Sequence, residues 1–460
     1  MFFKQFVDEG LGNSSYLIGS EEAGLAAVID PQRDVDRYVQ VAEGLGFRLT
    51  HALDTHLHAD FVSGVRELAA QVGLQIGASA DAQLAFDHLP LREGDTLALG
   101  DLTIGVLTTP GHSPEHISFT VTQARQPQPS TIFTGGSLIV GGAARTDLLG
   151  HAMTIPLARR LYHTIHHKLL ALPDAVDVYP THGAGSFCVA PTSSDRVTTI
   201  GQERIGNPLA QPQTEEEFVA RALSGLPSHP VYYKEMRPIN QRGPKILGGV
   251  PQLPPLSPEE VQAWMEQGGA VLDVRPSRAI AEGYIPGAYG IALTAPLTTW
   301  VGWLIPFGTP LVLVTGGSAD REQAVRQLIR IGYDDLRGYL DGALSAWEAA
   351  GLPIARMNMM SVAELRERLG SGDAPVVLDV RHDAEWTAGH ILGAIHIENG
   401  RLPYMDLPLP IDRPIAVHCQ HGPRATAGLS VLARRGYRNL LLVKGGFAAW
   451  QVAGFEVERG

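Results

Sequence analysis

A chain of 460 residues is too long for one ordinary hydrophobic core and predicts about two to four domains. Its 44% apolar and 18% charged residues are typical of a soluble globular protein, and its net charge of −12 argues against nucleic acid or an anionic membrane as the main partner. The two cysteines, Cys188 and Cys419, exclude a disulfide framework, and neither a signal-peptide pattern nor a membrane-spanning stretch is visible, so the sequence predicts a cytoplasmic protein.

Histidines in the first half of the chain fall on turn-rich segments that follow predicted strands. His56 and His58 lie in the run 55–61 after an apolar segment, and imidazoles two residues apart at a strand end can converge on one metal. Three further segments follow strands in the same way: residues 109–116 with His112, residues 133–137, and residues 179–183 with His182. Several histidines so placed indicate a metal site more strongly than a structural role.

These four segments, in this order, resemble the metallo-β-lactamase fold superfamily over about residues 1–200. Within it, the chain is most similar to glyoxalase II and its relatives, the persulfide dioxygenases, and the runs 145–147 and 182–188 share that similarity. The resemblance implies an αββα sandwich and a substrate-binding role for Arg145. Cys188, at the end of the second run, is equally consistent with an inert buried thiol and with a persulfide carrier near the metal pocket.

Two positions depart from the pattern of that superfamily. Its His-x-His-x-Asp-His motif ends here in Phe61, and its metal-binding aspartate is replaced by Gly136. The persulfide dioxygenases hold one Fe(II) with two histidines and that aspartate, which implies His56 and His112 as the histidines and leaves the carboxylate absent. The sequence also argues against a two-metal hydrolase site, because a bridging carboxylate and one second-site ligand are missing.

The resemblance therefore predicts a degraded metal site and leaves three states open. In the first state, the domain binds no metal and is a scaffold. In the second, it binds one metal weakly through His56 and His112. Alternatively, His56, His58 and His112 form a three-imidazole face for Fe(II), with zinc as the alternative occupant. Asp60 and His182 are further candidate ligands.

The second half of the chain contains a duplicated domain. Each copy begins with a helix-like segment and continues into an apolar strand that ends in Asp-Val-Arg, a turn, a second apolar strand and a helix, which indicates a parallel sheet covered by helices. The matching segments are residues 272–275 and 378–381, 283–288 and 389–394, 332–333 and 436–437, and 341–347 and 444–450. The sequence thus predicts three domains, over residues 1–245, 257–355 and 360–460.

The most informative segment of the second copy is the turn from Cys419 to Arg424. It follows an apolar run and precedes a helix start, so backbone N–H groups and the positive helix end favour a thiolate at Cys419, with Arg424 adding positive charge. A thiolate is nucleophilic, which predicts sulfur or phosphate-like anion chemistry at this turn. The first copy has Thr315 and Asp320 at the two positions and lacks this chemistry.

The duplicated pattern resembles the rhodanese family over about residues 257–460, and the whole chain resembles the bacterial persulfide dioxygenase–rhodanese fusions. In the rhodanese family the cysteine accepts a sulfane sulfur as a persulfide and passes it on, which implies Cys419 as the nucleophile and Arg424 as a second catalytic residue. The loop is shorter than that of the related dual-specificity phosphatases, which favours sulfur over phosphate. The implied substrate-binding residues of the loop are Gln420, His421 and Gly422.

The sequence therefore predicts an α/β multidomain protein of sulfur metabolism, with an αββα sandwich and two tandem rhodanese domains with parallel sheets. Its predicted activity is rhodanese-type sulfur transfer through a Cys419 persulfide. Two alternatives stay open: an active persulfide dioxygenase with a three-histidine iron site, and a non-enzymatic sulfur carrier or scaffold. The expected partners are a low-molecular-weight thiol persulfide or thiosulfate and a thiol or protein acceptor, and the sequence is compatible with a homo-oligomer.

Overall fold

The computed structural model describes residues 1–124, 126–189, 194–293, 296–372 and 374–459. The chain divides into two compact units. The first comprises Met1–Pro251 with Ile329–Gly332, and the second comprises Gln252–Leu328 with Tyr333–Gly460. Among the described residues, no helix combines the length and apolarity that crossing a membrane requires.

The first unit contains two six-stranded sheets. The strands of the first sheet, in both chain and spatial order, are β1 (Phe2–Asp8), β2 (Asn13–Ser20), β3 (Leu25–Ile29), β4 (Arg48–Leu53), β5 (Gln75–Ser79) and β6 (Leu89–Leu91). The strands of the second sheet are β7 (Thr96–Leu99), β8 (Leu102–Thr108), β9 (Ile117–Gln123), β10 (Thr131–Gly135), β11 (Asp177–Pro180) and β12 (Thr198–Thr199). Parallel pairing from β3 to β6 and between β10 and β11 brings several strand ends to the same edges.

Apolar side chains hold the two sheets face to face, and helices cover their outer faces. Tyr16, Phe119 and Phe133 lie in the core that both sheets share. The outer faces bury a second and a third apolar cluster, against α1 and α2 on the first sheet and against α3 and α5 on the second. This arrangement confirms the predicted αββα sandwich. The helices of the unit are α1 (Asp36–Gly44), α2 (Val65–Val72), α3 (His151–His163), α4 (Ile200–Gly206), α5 (Glu215–Ala222) and α6 (Tyr233–Arg242).

The second unit contains two five-stranded sheets, and every strand pair in them is parallel. The first sheet has the spatial order β13 (Pro255–Leu256), β17 (Leu336–Leu340), β16 (Leu311–Val314), β14 (Ala270–Asp273) and β15 (Tyr289–Gly290). The second has the order β18 (Asn358–Met360), β22 (Leu440–Val443), β21 (Ile415–His418), β19 (Val376–Asp379) and β20 (Ile395–His396). The shared strand order confirms the predicted tandem domains with parallel sheets.

Similar helices flank both sheets, as the sequence repeat requires. Ser257 and Ser361 begin the first helix of each copy with the same capping box, and Trp347 and Trp450 are buried in the two cores. The helices of the first copy are α7 (Pro258–Glu266), α8 (Ser277–Glu282), α9 (Leu297–Leu304), α10 (Ser318–Arg330) and α11 (Ala343–Ala349). Those of the second copy are α12 (Val362–Leu369), α13 (Asp383–Ala388), α14 (Pro423–Arg434) and α15 (Gly446–Val452).

The two copies pack against each other along α14. Residues 425–432 of this helix are all buried, because it contacts β21 and β22 of its own sheet and also β15 and α8 of the first copy. Trp300 of α9 stacks on His382 in the second copy, with ring centroids 6.1 Å apart. The helix that follows the Cys419 turn is therefore supported from both sides.

Candidate functional sites

Three buried histidines meet where strands of both sheets of the first unit end. His56 follows β4, His112 lies between β8 and β9, and His182 follows β11. One nitrogen of each ring lies within 4.8 Å of the other two. Three imidazoles at this spacing can hold one metal ion.

Hydrogen bonding fixes the tautomer of His56. Thr55 donates its hydroxyl hydrogen to Asp30 Oδ2 at 2.8 Å, so its oxygen is left to accept the N–H of His56 Nδ1, also at 2.8 Å. Burial, and then the neighbouring imidazoles, lower the pKa of His56 well below its usual value. The ring is therefore neutral, and its Nε2 lone pair faces the other two histidines.

The other two rings are held in the same way. His112 Nδ1 donates to the carbonyl oxygen of Arg145 at 2.6 Å, and His182 Nδ1 lies 3.2 Å from the side-chain oxygen of Asn13. Burial, and then His182, lower the pKa of His112 to about 3. Contacts of this kind at the outer ring nitrogen orient metal-binding histidines and direct Nε2 to the metal.

The inner nitrogens of two rings face each other directly. His182 Nε2 lies 3.3 Å from His56 Nε2, although each ring has its Nδ1 engaged on the other side. Two lone pairs at this distance repel each other unless a proton or a cation lies between them. This set of three imidazoles therefore fits a metal ion.

His58 lies beside the group, but its ring nitrogen points elsewhere. The rings of His58 and His56 have centroids 4.2 Å apart, whereas His58 Nε2 lies 3.2 Å from Asp30 and 3.7 Å from Asp54. Burial lowers the pKa of His58, but the two carboxyl groups outweigh it and raise the pKa to about 10. A protonated ring has no lone pair for a metal, so His58 is the cation of a buried ion pair, stacked on Phe61.

Asp60 lies behind His182 instead of facing the centre of the group. Its Oδ2 accepts the side-chain N–H of Asn13 at 2.8 Å and lies 3.3 Å from His182 Nδ1. Burial raises the pKa of Asp60, but His182 outweighs this effect, and the pKa is lowered to about 2. Asp60 is thus a carboxylate that orients His182, with a buried Oδ1 that has no hydrogen-bond partner among the described residues.

The backbone at Gly136 is fixed by another histidine of this region, His116. His116 Nε2 accepts the N–H of Gly136 at 3.0 Å, which leaves His116 no lone pair for a metal. A Cβ atom at position 136 would lie 2.7 Å from His112 Cδ2. The His112 ring therefore fills the space that a side chain at this position would need.

A cavity of about 260 Å³ opens beside His112. At its rim, Arg237 forms two hydrogen bonds of 2.8 Å to Glu115, which also accepts the N–H of Leu57 at 3.0 Å. The cavity can hold a small ligand next to the histidine group, with apolar walls and two cations at its lining. The residues that line it include Leu57, Leu148, Leu149, Tyr233, Lys234 and Arg237.

Arg145, predicted to bind substrate, has its side chain engaged within the domain. Its Nε and Nη2 donate to Asp147 at 2.6 and 2.7 Å, and its Nη1 donates to the carbonyl oxygens of Phe187 and Pro227. The backbone carbonyl of Arg145 orients His112, as described above. The structure thus links Arg145 to the histidine group through its main chain.

Cys188 is buried and its surroundings favour the thiol form. Its N–H donates to Ser186 Oγ at 3.1 Å, and its carbonyl oxygen accepts the N–H of Arg145 at 2.7 Å. Burial, followed by the charge of Asp60, raises the pKa of Cys188 well above its usual value. These surroundings are those of an un-ionised cysteine.

Cys419 lies directly after β21, and α14 begins four residues later. Its sulfur accepts the backbone N–H of Gly422 at 3.0 Å. The carbonyl oxygens of Cys419 and Gln420 accept the N–H groups of Phe447 and Ala448 at 2.8 and 3.0 Å, so the start of α15 holds them. This is the predicted strand–turn–helix arrangement, with a backbone donor on the sulfur and the positive end of α14 beside it.

Arg424 forms an ion pair with Glu385 of α13, through two hydrogen bonds of 2.5 and 2.8 Å. Burial by itself would lower the pKa of Arg424, but the Glu385 carboxylate has the larger effect, so the pKa is raised. The second arginine near the turn, Arg381, pairs with Asp379 at 2.6 Å. His421 is exposed at the surface of the turn.

The first copy lacks this site. Thr315 follows β16 as Cys419 follows β21, and its hydroxyl donates to the carbonyl oxygen of Gly317 at 3.2 Å. Asp320 lies in the first turn of α10, where the second copy has Arg424. The turn of the first copy has neither a sulfur nucleophile nor a cation.

Three residues that orient the side chains of the two sites are absent from the predictions made from the sequence. Thr55 is adjacent to His56 and is noticeable only once the orientation of the ring is known. Asn13 contacts His182 across a separation of 169 residues, so no local pattern can identify it. Glu385 can be noticed by comparing the two copies, because the first copy, which lacks the cysteine, has Ala279 at the equivalent position.

The fold and its two sites define a class: a metallo-β-lactamase-fold protein fused to two rhodanese domains. A model of the rhodanese-like domain family matches residues 257–350 and 361–453. Over 206 residues the chain is 31% identical to the mitochondrial persulfide dioxygenase ETHE1 of Homo sapiens, covering 44% of this chain and 73% of that protein. The chain belongs to the persulfide dioxygenase ETHE1 family and carries the two rhodanese domains as a fusion, which makes it a protein of sulfur metabolism.

Two further comparisons agree with the metallo-β-lactamase fold of the first unit. The chain is 31% identical over 206 residues to the hydroxyacylglutathione hydrolase GloC of Haemophilus influenzae, covering 40% of this chain and 86% of that protein. The crystal structure of a metallo-beta-lactamase from Staphylococcus aureus matches with a TM-score of 0.65 and 32% identity, covering 74% of this chain and 98% of that one. The latter match extends beyond the residues of the first unit.

Proposed function

We propose that this protein transfers sulfane sulfur through a persulfide on Cys419. The observation that carries the proposal is the contact of the Cys419 sulfur with the N–H of Gly422, at the start of a helix and next to Arg424. A backbone donor and a helix N-terminus stabilise negative charge on the sulfur, and a thiolate is the nucleophile that sulfur transfer needs.

In the proposed reaction, the Cys419 thiolate attacks the outer sulfur of a thiol persulfide or of thiosulfate. A new S–S bond forms at Cys419 while the S–S bond of the donor breaks, and the electron pair leaves with the donor as a thiolate or as sulfite. The outer sulfur of the Cys419 persulfide is then attacked by a low-molecular-weight thiol or a protein thiolate, which releases Cys419 as a thiolate. The turn can stabilise the anionic sulfur at each stage.

Sulfur transfer from thiosulfate or glutathione persulfide to cyanide tests the proposal. We expect transfer by the full chain, its loss in Cys419→Ser, and its retention in Cys188→Ser, which removes the other cysteine. Transfer that survives in Cys419→Ser would contradict the assignment of the nucleophile. A stable Cys419 persulfide that no small acceptor discharges would favour the sulfur carrier instead.

A second activity is favoured by the convergence of the three Nε2 atoms. We propose that His56, His112 and His182 hold one metal ion, Fe(II) with zinc as the alternative occupant, in place of the degraded site that the sequence predicts. When bound, iron would supply open coordination positions for a persulfide thiolate and O2. The residues of the chain would orient the three rings, exclude water with Leu57, Leu148 and Leu149, and place the rest of the substrate in the cavity beside His112.

Oxygen uptake separates this activity from sulfur transfer. Protein purified without oxygen and reconstituted with ferrous iron should consume O2 when glutathione persulfide is added. We expect Cys419→Ser to retain this uptake and His182→Ala to lose it. If the reconstituted protein binds iron but consumes no O2, the first unit is a metal-binding scaffold and not a dioxygenase.

A further inference from the structure

The arginine of the Cys419 turn is held by a carboxylate from another element. Glu385 lies in the first turn of α13 and contacts both terminal nitrogens of Arg424, at 2.5 and 2.8 Å. The backbone N–H of His382 donates to the same carboxylate at 3.1 Å. The guanidinium is therefore fixed in one place, and its charge is matched by a fixed negative charge.

The duplicated domain provides an internal control for the role of Glu385. Residues that hold the fold recur in both copies, as the buried pairs Asp273–Arg275 and Asp379–Arg381 illustrate. Glu385 does not recur, because position 279 of the first copy is alanine. The copy without the cysteine and the arginine is also the copy without this glutamate. The carboxylate therefore occurs together with the site, and in the second copy it also caps the start of α13.

The charges around the turn favour one class of donor. Both arginines near it, Arg424 and Arg381, are paired with a carboxylate. Thiosulfate brings two negative charges to the turn, whereas the reacting end of a thiol persulfide brings one. A cation that is already paired attracts a dianion less than an unpaired cation would.

Building on the sulfur transfer proposed above, we infer that Glu385 is the specificity-determining residue of this site. By holding Arg424 and cancelling its charge, it makes the Cys419 turn select thiol persulfides over dianionic thiosulfate. Glu385 acts through Arg424 and does not contact the sulfur, so it is a positioning residue.

The test compares kcat/KM for thiosulfate and for glutathione persulfide with one common acceptor. In Glu385→Gln we expect the ratio to move toward thiosulfate by about fivefold, the order expected for one unit charge at a partly exposed pair. Glu385→Asp keeps the charge and should keep the ratio. Asp383→Asn is the matched control, because it removes the same charge from the same helix at an exposed residue that pairs with Arg401. An unchanged ratio in Glu385→Gln would overturn the inference.

A second measurement is independent of turnover. The alkylation rate of Cys419, followed by mass spectrometry of its peptide, is compared for anionic iodoacetate and neutral iodoacetamide. Glu385→Gln should raise the iodoacetate rate relative to the iodoacetamide rate, and Asp383→Asn should not. If no sulfur donor reacts with the full chain, the proposed sulfur transfer fails, while the alkylation ratio still decides whether Glu385 sets the charge of the turn. An alkylation ratio equal to that of the unmutated chain would refute the role given to Glu385.

Discussion

His56 and His182 present their Nε2 atoms to each other at 3.3 Å, from strands that belong to different sheets. Thr55 and Asn13 occupy the outer nitrogens, so each ring, when neutral, presents the lone pair of its Nε2 inward. His112 adds a third inward nitrogen. An arrangement of three acceptors without a donor is stable when a cation occupies the centre.

Metal binding is the first prediction. We expect the full chain, reconstituted with Fe(II) or with Co(II) as a spectroscopic substitute, to bind about one metal ion. Metal binding should be lost in each of three variants, because each removes one of the three ligands: His56→Ala, His112→Ala and His182→Ala. His116→Gln is the control, since glutamine can still accept the Gly136 N–H and His116 is not a ligand. Full metal content in His182→Ala would contradict the three-histidine assignment.

Gly136→Ala should weaken metal binding. The new Cβ would lie 2.7 Å from His112 Cδ2, so the ring must move away from the other two histidines. Gly183→Ala adds the same methyl group next to His182, but the nearest atom, at 3.2 Å, belongs to the Arg196 side chain, which can move. We expect metal affinity to fall by about tenfold or more in the first variant and to be kept in the second, as measured by competition with a chelator. Equal affinities would show that the position of the His112 ring does not matter.

Gly446→Ala should abolish most sulfur transfer. Gly446 has a φ of +58°, and a Cβ there would lie 2.2 Å from the carbonyl oxygen of Cys419. The turn that holds the sulfur would have to shift, and misplacement of a reacting group costs about a hundredfold in rate. Gly454→Ala is the control, because its φ of +70° gives similar backbone strain of about 1 kcal/mol while its Cβ would meet nothing within 4 Å. Equal transfer rates would show that the turn does not depend on its contact with α15.

Asp379→Asn should destabilise the second unit. Arg381 is 2% exposed, and removal of its partner leaves a buried charge uncompensated, at a cost of about 3–5 kcal/mol in the free energy of unfolding. Burial by itself would raise the pKa of Asp379, but Arg381 and His418 together have the larger effect, so the pKa is lowered. The carboxylate therefore stabilises the fold above its unfolded pKa of about 4 and loses this effect as the pH falls through the lower folded value.

Denaturant unfolding at several pH values measures this contribution. Asp335→Asn provides the comparison, because it breaks an exposed pair with Arg337 and should change the free energy of unfolding by less than about 0.5 kcal/mol. A similarly small change in Asp379→Asn would contradict the buried ion pair. So would a difference between Asp379→Asn and the unmutated chain that grows as the pH falls.

The sequence predicts the turn at Cys419 well because all its parts are local: an apolar strand, four intervening residues and a helix start. The repeat likewise predicts both parallel sheets. The histidine group is harder to predict, because His56 and His182 follow strands in different sheets and only the packing of the sandwich decides which rings meet. The spacing of His56 and His58 suggests two metal ligands. The His58 ring instead forms an ion pair with Asp30, which is distant in the sequence.

The central claim is that Cys419 takes up a sulfur atom. The direct test is mass spectrometry of the full chain after brief exposure to glutathione persulfide, followed by peptide mapping. We predict a gain of one sulfur atom on the Cys419 peptide that a thiol removes, with the same gain in Cys188→Ser and none in Cys419→Ser. An unmodified Cys419 with every donor tried, at donor concentrations that persulfidate a free thiol, would contradict the account.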